Sequence, residues 1–122
     1  MSLNKSILVT IKKLLGIDKA HEAFDVDIIT HINSAFMVLA QLGVGPEEGF
    51  FISDETATWD TFLETTKGVY PHAVQTYIYL KVKLTFDPPQ TAHLIAAVER
   101  QIEQLEWRLN TNEEREANIT ND

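Results

Sequence analysis

The fold of this chain is decided by residues 71–89, PHAVQTYIYLKVKLTFDPP. Pro71 suits the first position of a helix, and the apolar residues of 74–86 cover most of the circumference that a helix would have. The run Asp-Pro-Pro at 87–89 ends the segment abruptly, because a residue before proline avoids the helical conformation. The stretch therefore predicts one buried helix over 71–86.

The pattern at 77–84 also fits a β-strand, since β-branched and aromatic residues are frequent in strands. A strand needs a partner, however, and the only other strand-like run in the chain is the short 50–52. We therefore predict that 71–86 forms the central helix of an all-α protein.

Two helices are predicted before this segment. The first covers about 5–15, with Asn4 as its N-cap, and the second covers 26–42, with Asp25 as its N-cap. A glycine follows each of them at the position where a left-handed backbone commonly ends a helix.

A last helix over 89–109 has an apolar seam, and Trp107 lies off that seam. The sequence thus predicts a small bundle of four main helices. Residues 1–110 are expected to form the helical domain, and the polar residues 111–122 a disordered tail.

A long connection at 43–69 joins the second and third of these helices. Phe50 and Phe51 lie in it, and Thr58 is expected to cap one or two helical turns that carry Trp59. Long connections inside compact domains are usually functional or mobile, so this excursion is a candidate contact surface. The alternative is that its aromatic residues cover one end of a small core.

The composition excludes several classes of protein. A chain of 122 residues has room for one domain with one core, and the absence of cysteine excludes disulfides, thiolate metal sites and a thiol nucleophile. No apolar run approaches the ~18–20 residues that span a bilayer, and the N-terminus lacks the pattern of a signal peptide. We expect a protein of a reducing compartment with no membrane partner.

The charge is unevenly distributed along the chain. The net charge of −8 argues against a module that binds duplex DNA, whose affinity comes mainly from neutralised phosphates. Residues 20–66 contain nine acids and no base, whereas 1–19 contain four lysines and one aspartate. This distribution suggests a partner with a basic surface, or a subunit that meets its own copies through complementary patches. The alternative is a solvated acidic face.

No arrangement of residues predicts catalysis. Asp27, His31 and Ser34 share one helical face, but a serine in the middle of a helix lacks the oxyanion donors that a nucleophile needs. The four histidines have no i, i+4 pair, and the acids of 43–69 lack the spacing of a calcium loop. We predict no enzyme activity, no cofactor and no specific metal site.

Six short motifs occur in a characteristic order. They are Ile7–Leu15 with the following Gly-Ile-Asp, Asp25-Val-Asp27 opening the helix of Ile28–Asn33, Leu39–Gly43, Tyr77–Lys81, Phe86–Pro89 and Glu106–Leu109. Over about residues 5–110 this arrangement resembles the small helical head–tail connector, or adaptor, proteins of tailed bacteriophages and prophages, some of them linked to DNA packaging. Members of that family are all-α and form rings, commonly of twelve or thirteen subunits, beneath the portal.

The resemblance implies a structural virion protein that completes the head and helps to join the tail. Its partners would be the portal protein, tail-completion proteins and its own copies, and DNA would pass through the ring without specific binding. The protein would reside in the virion and, during assembly, in the host cytoplasm. The resemblance also implies packing and turn roles for five residues, namely Leu80, Phe86, Asp87, Pro88 and Pro89.

We predict that Phe50, Phe51, Trp59, Trp107 and Arg108 form the interfaces with neighbouring subunits and the portal. The four aromatic residues lie off the regular apolar stripes or in a connection whose length the fold does not require. In adaptors of this kind the end of the last helix tends to engage the portal or a neighbour.

Two other functions are compatible with the same sequence. One is a bacterial helical module for protein–protein interaction or regulation. The other is an acidic DNA mimic that uses 20–66 to occupy a nucleic-acid-binding protein.

Overall fold

A computed structural model describes residues 5–66 and 70–121 of the chain, and the side chains of that part up to Asn110. These residues contain no strand and form five helices: α1 (Ile7–Leu14), α2 (Asp25–Gln41), α3 (Trp59–Leu63), α4 (Pro71–Phe86) and α5 (Ala92–Asn121). The prediction of an all-α protein is confirmed. The short α3 lies in the excursion and is added to the four main helices.

Helix α4 is the centre of the fold, as predicted. It packs against α2, α5 and α1. Val74, Tyr77, Ile78 and Val82 are completely buried. Gln75 and Leu80 are also buried, and the six positions together cover more than half of the helix circumference, so neighbours on more than one side are needed to cover them.

Both glycine stops are confirmed. Gly16 and Gly43 have φ angles of +82° and +86°, which a residue with a Cβ atom adopts at a cost. After α2, the N–H of Val44 donates to the C=O of Leu39 at 2.8 Å, and an equivalent bond follows α1. This is the Schellman arrangement that satisfies the last carbonyl groups of a helix.

The starts of the first two helices differ from the prediction. The N-cap of α1 is Ser6, whose hydroxyl accepts a hydrogen bond from the N–H of Val9 at 3.2 Å, whereas Asn4 lies outside the described residues. Asp25 is the first residue of α2 rather than its cap. Its carboxylate pairs with Lys12 instead of bonding to its own helix.

Both ends of α5 also differ from the prediction. The helix begins at Ala92 rather than at residue 89, and the hydroxyl of Thr91 accepts a hydrogen bond from the backbone of its first turn at 3.2 Å. It continues past residue 109 to Asn121, since no glycine or proline interrupts the pattern there. The boundary of the domain at residue 110 stays a prediction.

The excursion between α2 and α4 is attached to the bundle. The side-chain amide of Asn33 donates to the C=O of Ile52 at 2.9 Å and accepts from its N–H at 2.8 Å. The ring of Phe50 packs against Phe36 and Phe62, with centroid distances of 5.0 and 5.2 Å. The excursion therefore contributes aromatic residues to the hydrophobic core, which is the alternative that the sequence left open.

Candidate interaction surfaces

Trp59 lies in the core rather than on the surface. Its side chain is 1% exposed, and its indole N–H donates to the hydroxyl of Thr10 on α1 at 3.1 Å. The backbone just before it is also tied to α1, because the N–H of Ile7 donates to the C=O of Ala57 at 3.0 Å. The expectation that Trp59 offers a contact surface is corrected on this point: its indole is already used to hold α1 against the excursion.

Phe50 and Phe51 are neighbours in sequence with different surroundings. Phe50 is half-buried among the aromatic rings of the core, so its ring is not free to anchor a partner. Phe51 is 55% exposed. Of the two, only Phe51 presents most of its side chain to solvent.

Phe51 belongs to an exposed acidic turn. We call residues 46–51 the Phe51 loop. The turn is closed by a hydrogen bond from the N–H of Gly49 to the C=O of Pro46 at 2.9 Å. Glu47 and Glu48 are both exposed within it. The loop thus presents one aromatic side chain beside two carboxylates.

The orientation of α5 is fixed by buried and bonded residues. Ile102 and Leu109 are 6% and 0% exposed, and the hydroxyl of Tyr77 donates to Oε2 of Glu106 at 2.7 Å. Burial, followed by the hydrogen bond to Glu106, raises the pKa of Tyr77 well above its usual value. Since Trp107 lies two residues before Leu109, it is turned by about 200° to the opposite side of the helix.

Trp107 is 69% exposed, as its position off the apolar seam predicts. Four exposed polar residues border a shallow depression beside it; we call the set the Trp107 face, and it comprises Arg100, Glu103, Gln104, Trp107 and Arg108. Tryptophan and arginine are among the residue types that are enriched at the hot spots of protein interfaces.

A groove beside α1 is a feature that the sequence did not predict. It has a volume of about 730 Å³, and we call it the α1 groove. Its apolar part includes Val9 and Leu14, and Leu14 is 48% exposed. Its charged residues are Lys5, Lys13, Lys19, Glu22 and Glu55.

The loop that borders this groove is organised by a buried lysine that the sequence analysis missed. Lys12 is 2% exposed; its Nζ donates to the C=O of Lys19 at 3.1 Å and of His21 at 2.6 Å. Nζ also lies 2.7 Å from Oδ1 of Asp25. The available signal was the position of Lys12 next to Ile11, on the buried side of an amphipathic helix, where a charge must find partners.

The turn and packing residues lie where such roles require. Leu80 is 8% exposed, and the ring of Phe86 packs edge-on against Phe24 at a centroid distance of 5.5 Å. Asp87 is the C-cap of α4 and accepts a hydrogen bond from Nζ of Lys83 at 3.0 Å. The two prolines at 88 and 89 follow directly and separate α4 from α5.

The row of Asp27, His31 and Ser34 is not assembled for catalysis. The hydroxyl of Ser34 donates to the C=O of Thr30 at 3.1 Å, and the ring of His31 packs against Phe86. Asp27 lies in the first turn of α2, where the helix dipole favours a carboxylate.

In the part of the chain that the structure describes, no three histidine or carboxylate side chains are grouped to hold a metal ion. Every helix of that part is too short or too polar to cross a membrane.

Comparison with protein families gives a match over most of the chain. The profile of the family described as "Phage connector protein" matches residues 7–116, from the start of α1 into the last part of α5. No curated protein and no solved structure matches the chain.

Proposed function

This chain belongs to the phage connector protein family, and we propose that it is a head–tail connector subunit that forms a ring with its own copies beneath the portal. The family is one of structural, non-enzymatic proteins, and we assign no catalytic step or cofactor to this chain. In this proposal the protein is a component of the virion that completes the head and joins it to tail-completion proteins.

The observation that carries the proposal is the exposure of Trp107 within the region matched by the family. A tryptophan that is 69% exposed presents a large apolar surface to water, and contact with a partner protein would cover that surface. Arg100 and Arg108 beside it supply donors for carboxylate or carbonyl groups of a partner. We assign the Trp107 face to contact with the portal.

The charge of the chain suits a ring around DNA. The net charge is −8, and residues 20–66 contain nine acids and no base. A negative channel wall repels the phosphate backbone, so DNA passes without a specific contact.

Portal binding by two variants tests the assignment. Trp107→Ala removes the exposed indole, and Tyr70→Ala is a matched control, because Tyr70 is an aromatic residue with the same exposure of 69% before α4. We expect Trp107→Ala to weaken binding to the portal protein of the same genome by about 30-fold, which corresponds to ~2 kcal/mol, while Tyr70→Ala binds as the parent does. Sedimentation velocity gives the affinities, and circular dichroism gives the helix content.

Equal portal binding by Trp107→Ala and the parent would contradict the assignment, as would a loss of helicity in step with the loss of binding. A parent chain that does not bind the portal at all favours the alternative of a bacterial interaction module.

A further inference from the structure

We propose that the α1 groove of one subunit receives the Phe51 loop of a second copy of this chain. This inference rests on the proposed function and deepens it, because it names the two surfaces that meet between neighbouring subunits.

The α1 groove contains exposed apolar side chains, and lysines surround them. Leu14 is 48% exposed there, and Lys5, Lys13 and Lys19 are exposed around it. Among the described residues, none of these three ammonium groups has a carboxylate within 4.0 Å, since the two ion pairs found there use other lysines. Glu22 and Glu55 also border the groove. Its three lysines and two glutamates give it a net charge of +1, whereas the whole chain has a net charge of −8.

The Phe51 loop has the opposite chemistry. Phe51 is 55% exposed, and the carboxylates of Glu47 and Glu48 lie in the same turn. An aromatic ring can cover the exposed part of Leu14, while the two carboxylates meet the lysines that border the groove. Both the apolar and the charged groups of the loop therefore have counterparts in the groove.

The loop is also held in place before it binds. The two hydrogen bonds between Asn33 and Ile52 fix the residue that follows Phe51, and Phe50 is anchored against Phe36 and Phe62. A loop that is already ordered loses little conformational entropy on binding.

The two surfaces lie at different places on the chain, and the Phe51 loop does not line the groove of its own chain. A contact between two different patches is heterologous, so each subunit binds one neighbour through its groove and another through its loop. Repetition of such a contact closes into a ring when the rotation allows it.

Charge reversal tests the pairing. One variant reverses the groove (Lys13→Glu with Lys19→Glu), a second reverses the loop (Glu47→Lys with Glu48→Lys), and a third combines all four changes in one chain. Self-association of each is measured by sedimentation at about 50 mM and about 500 mM NaCl, since salt screens contacts between exposed charges.

We expect the parent chain to self-associate more strongly at low salt. Each reversal alone should weaken association at least about tenfold, and the combined variant should recover it because the charges are again complementary. Phe51→Ala should also weaken it. Met37→Ala, which truncates an apolar side chain that is 51% exposed on α2, is the control and should leave it unchanged.

The inference is overturned by a parent chain that stays monomeric at low salt, by single reversals without effect, or by a combined variant that does not recover. If self-association is insensitive to these changes while portal binding still depends on Trp107, the inference fails and the proposed function stands. If the parent chain does not bind the portal, the proposed function fails, and the charge-swap series alone decides the pairing.

Discussion

Asn33 and Ile52 exchange two hydrogen bonds, of 2.9 and 2.8 Å, although they lie 19 residues apart in the sequence. The side-chain amide of Asn33 donates to the C=O of Ile52 and accepts from its N–H. It thus makes the same pair of hydrogen bonds that the backbone of a neighbouring strand makes in an antiparallel sheet. Ile52 is 4% exposed, and water cannot take over these bonds easily. This polar side chain of α2 thereby helps to hold the excursion against the bundle, just after the exposed Phe51.

Replacement of this amide should destabilise the protein. Asn33→Ala leaves two buried backbone groups of Ile52 without partners, and we expect the free energy of unfolding to fall by about 2–3 kcal/mol in urea denaturation. The neighbouring Ser34→Ala is the control, since Ser34 is exposed and bonds only to the backbone of its own helix. Equal stability of the two variants would show that the amide does not hold the excursion.

Truncation of the two tryptophans should change the free energy of unfolding by very different amounts. Trp59→Ala removes a buried indole and its bond to Thr10, so it should lower the free energy of unfolding by about 3–5 kcal/mol. Trp107→Ala should change it by no more than about 0.5 kcal/mol, because an exposed side chain away from special features contributes little to folding. Thermal unfolding followed by circular dichroism compares them, and similar melting temperatures would refute the division between core and surface.

Lys12 should be required for stability. Lys12→Met keeps the aliphatic part of the side chain but leaves Asp25 without its ion-pair partner and two carbonyl groups without their donor. Because Asp25 is 26% exposed, we expect a loss of about 2–4 kcal/mol, which is less than for a fully buried pair. Lys13→Met, at the exposed neighbouring position, is the control and should change the free energy of unfolding by no more than about 0.5 kcal/mol. Chemical denaturation that finds no difference between the two would rule out this role.

Tyr77 should make stability depend on pH in the alkaline range. Its pKa is raised in the folded protein, first by burial and then by Glu106, whereas in the unfolded chain it ionises near its ordinary value of about 10. The unfolded state therefore binds fewer protons above that pH. The contribution of Tyr77 to the free energy of unfolding is complete below about pH 10 and is lost as the pH rises toward the pKa of Tyr77 in the folded protein.

Comparison with Tyr77→Phe isolates this effect from other alkaline titrations. The free energy of unfolding of the parent, measured relative to the phenylalanine variant, should be constant up to about pH 10 and fall above it. In a spectroscopic titration of the three tyrosines, one should resist ionisation until the protein unfolds. A difference between parent and variant that does not change with pH would contradict the raised pKa.

Local signals account for what the sequence predicts well. The bounds of α4 follow from Pro71 at its start and from the Asp-Pro-Pro unit after it, which act through the backbone of adjacent residues. Gly16 and Gly43 end their helices for a similarly local reason. The exposure of Trp107 follows from its position relative to the apolar seam of one helix.

Contacts between distant residues account for what the sequence does not predict. Trp59 is buried in a core formed by several helices, and its indole N–H bonds to Thr10, which lies 49 residues away; no local pattern encodes these contacts. Phe50 and Phe51 differ in exposure because the Asn33–Ile52 bonds set the direction of the backbone after them. The Lys12–Asp25 pair and the α1 groove arise in the same way, from segments that only the folded chain brings together.

The central claim, that this chain is a ring-forming connector subunit, is tested most directly by electron microscopy of the purified portal mixed with the protein. The account predicts a closed ring of added density on one end of each portal, present with the parent chain and reduced with Trp107→Ala but not with Tyr70→Ala. Portal particles without added density, at protein concentrations at which the chain is folded, would contradict it.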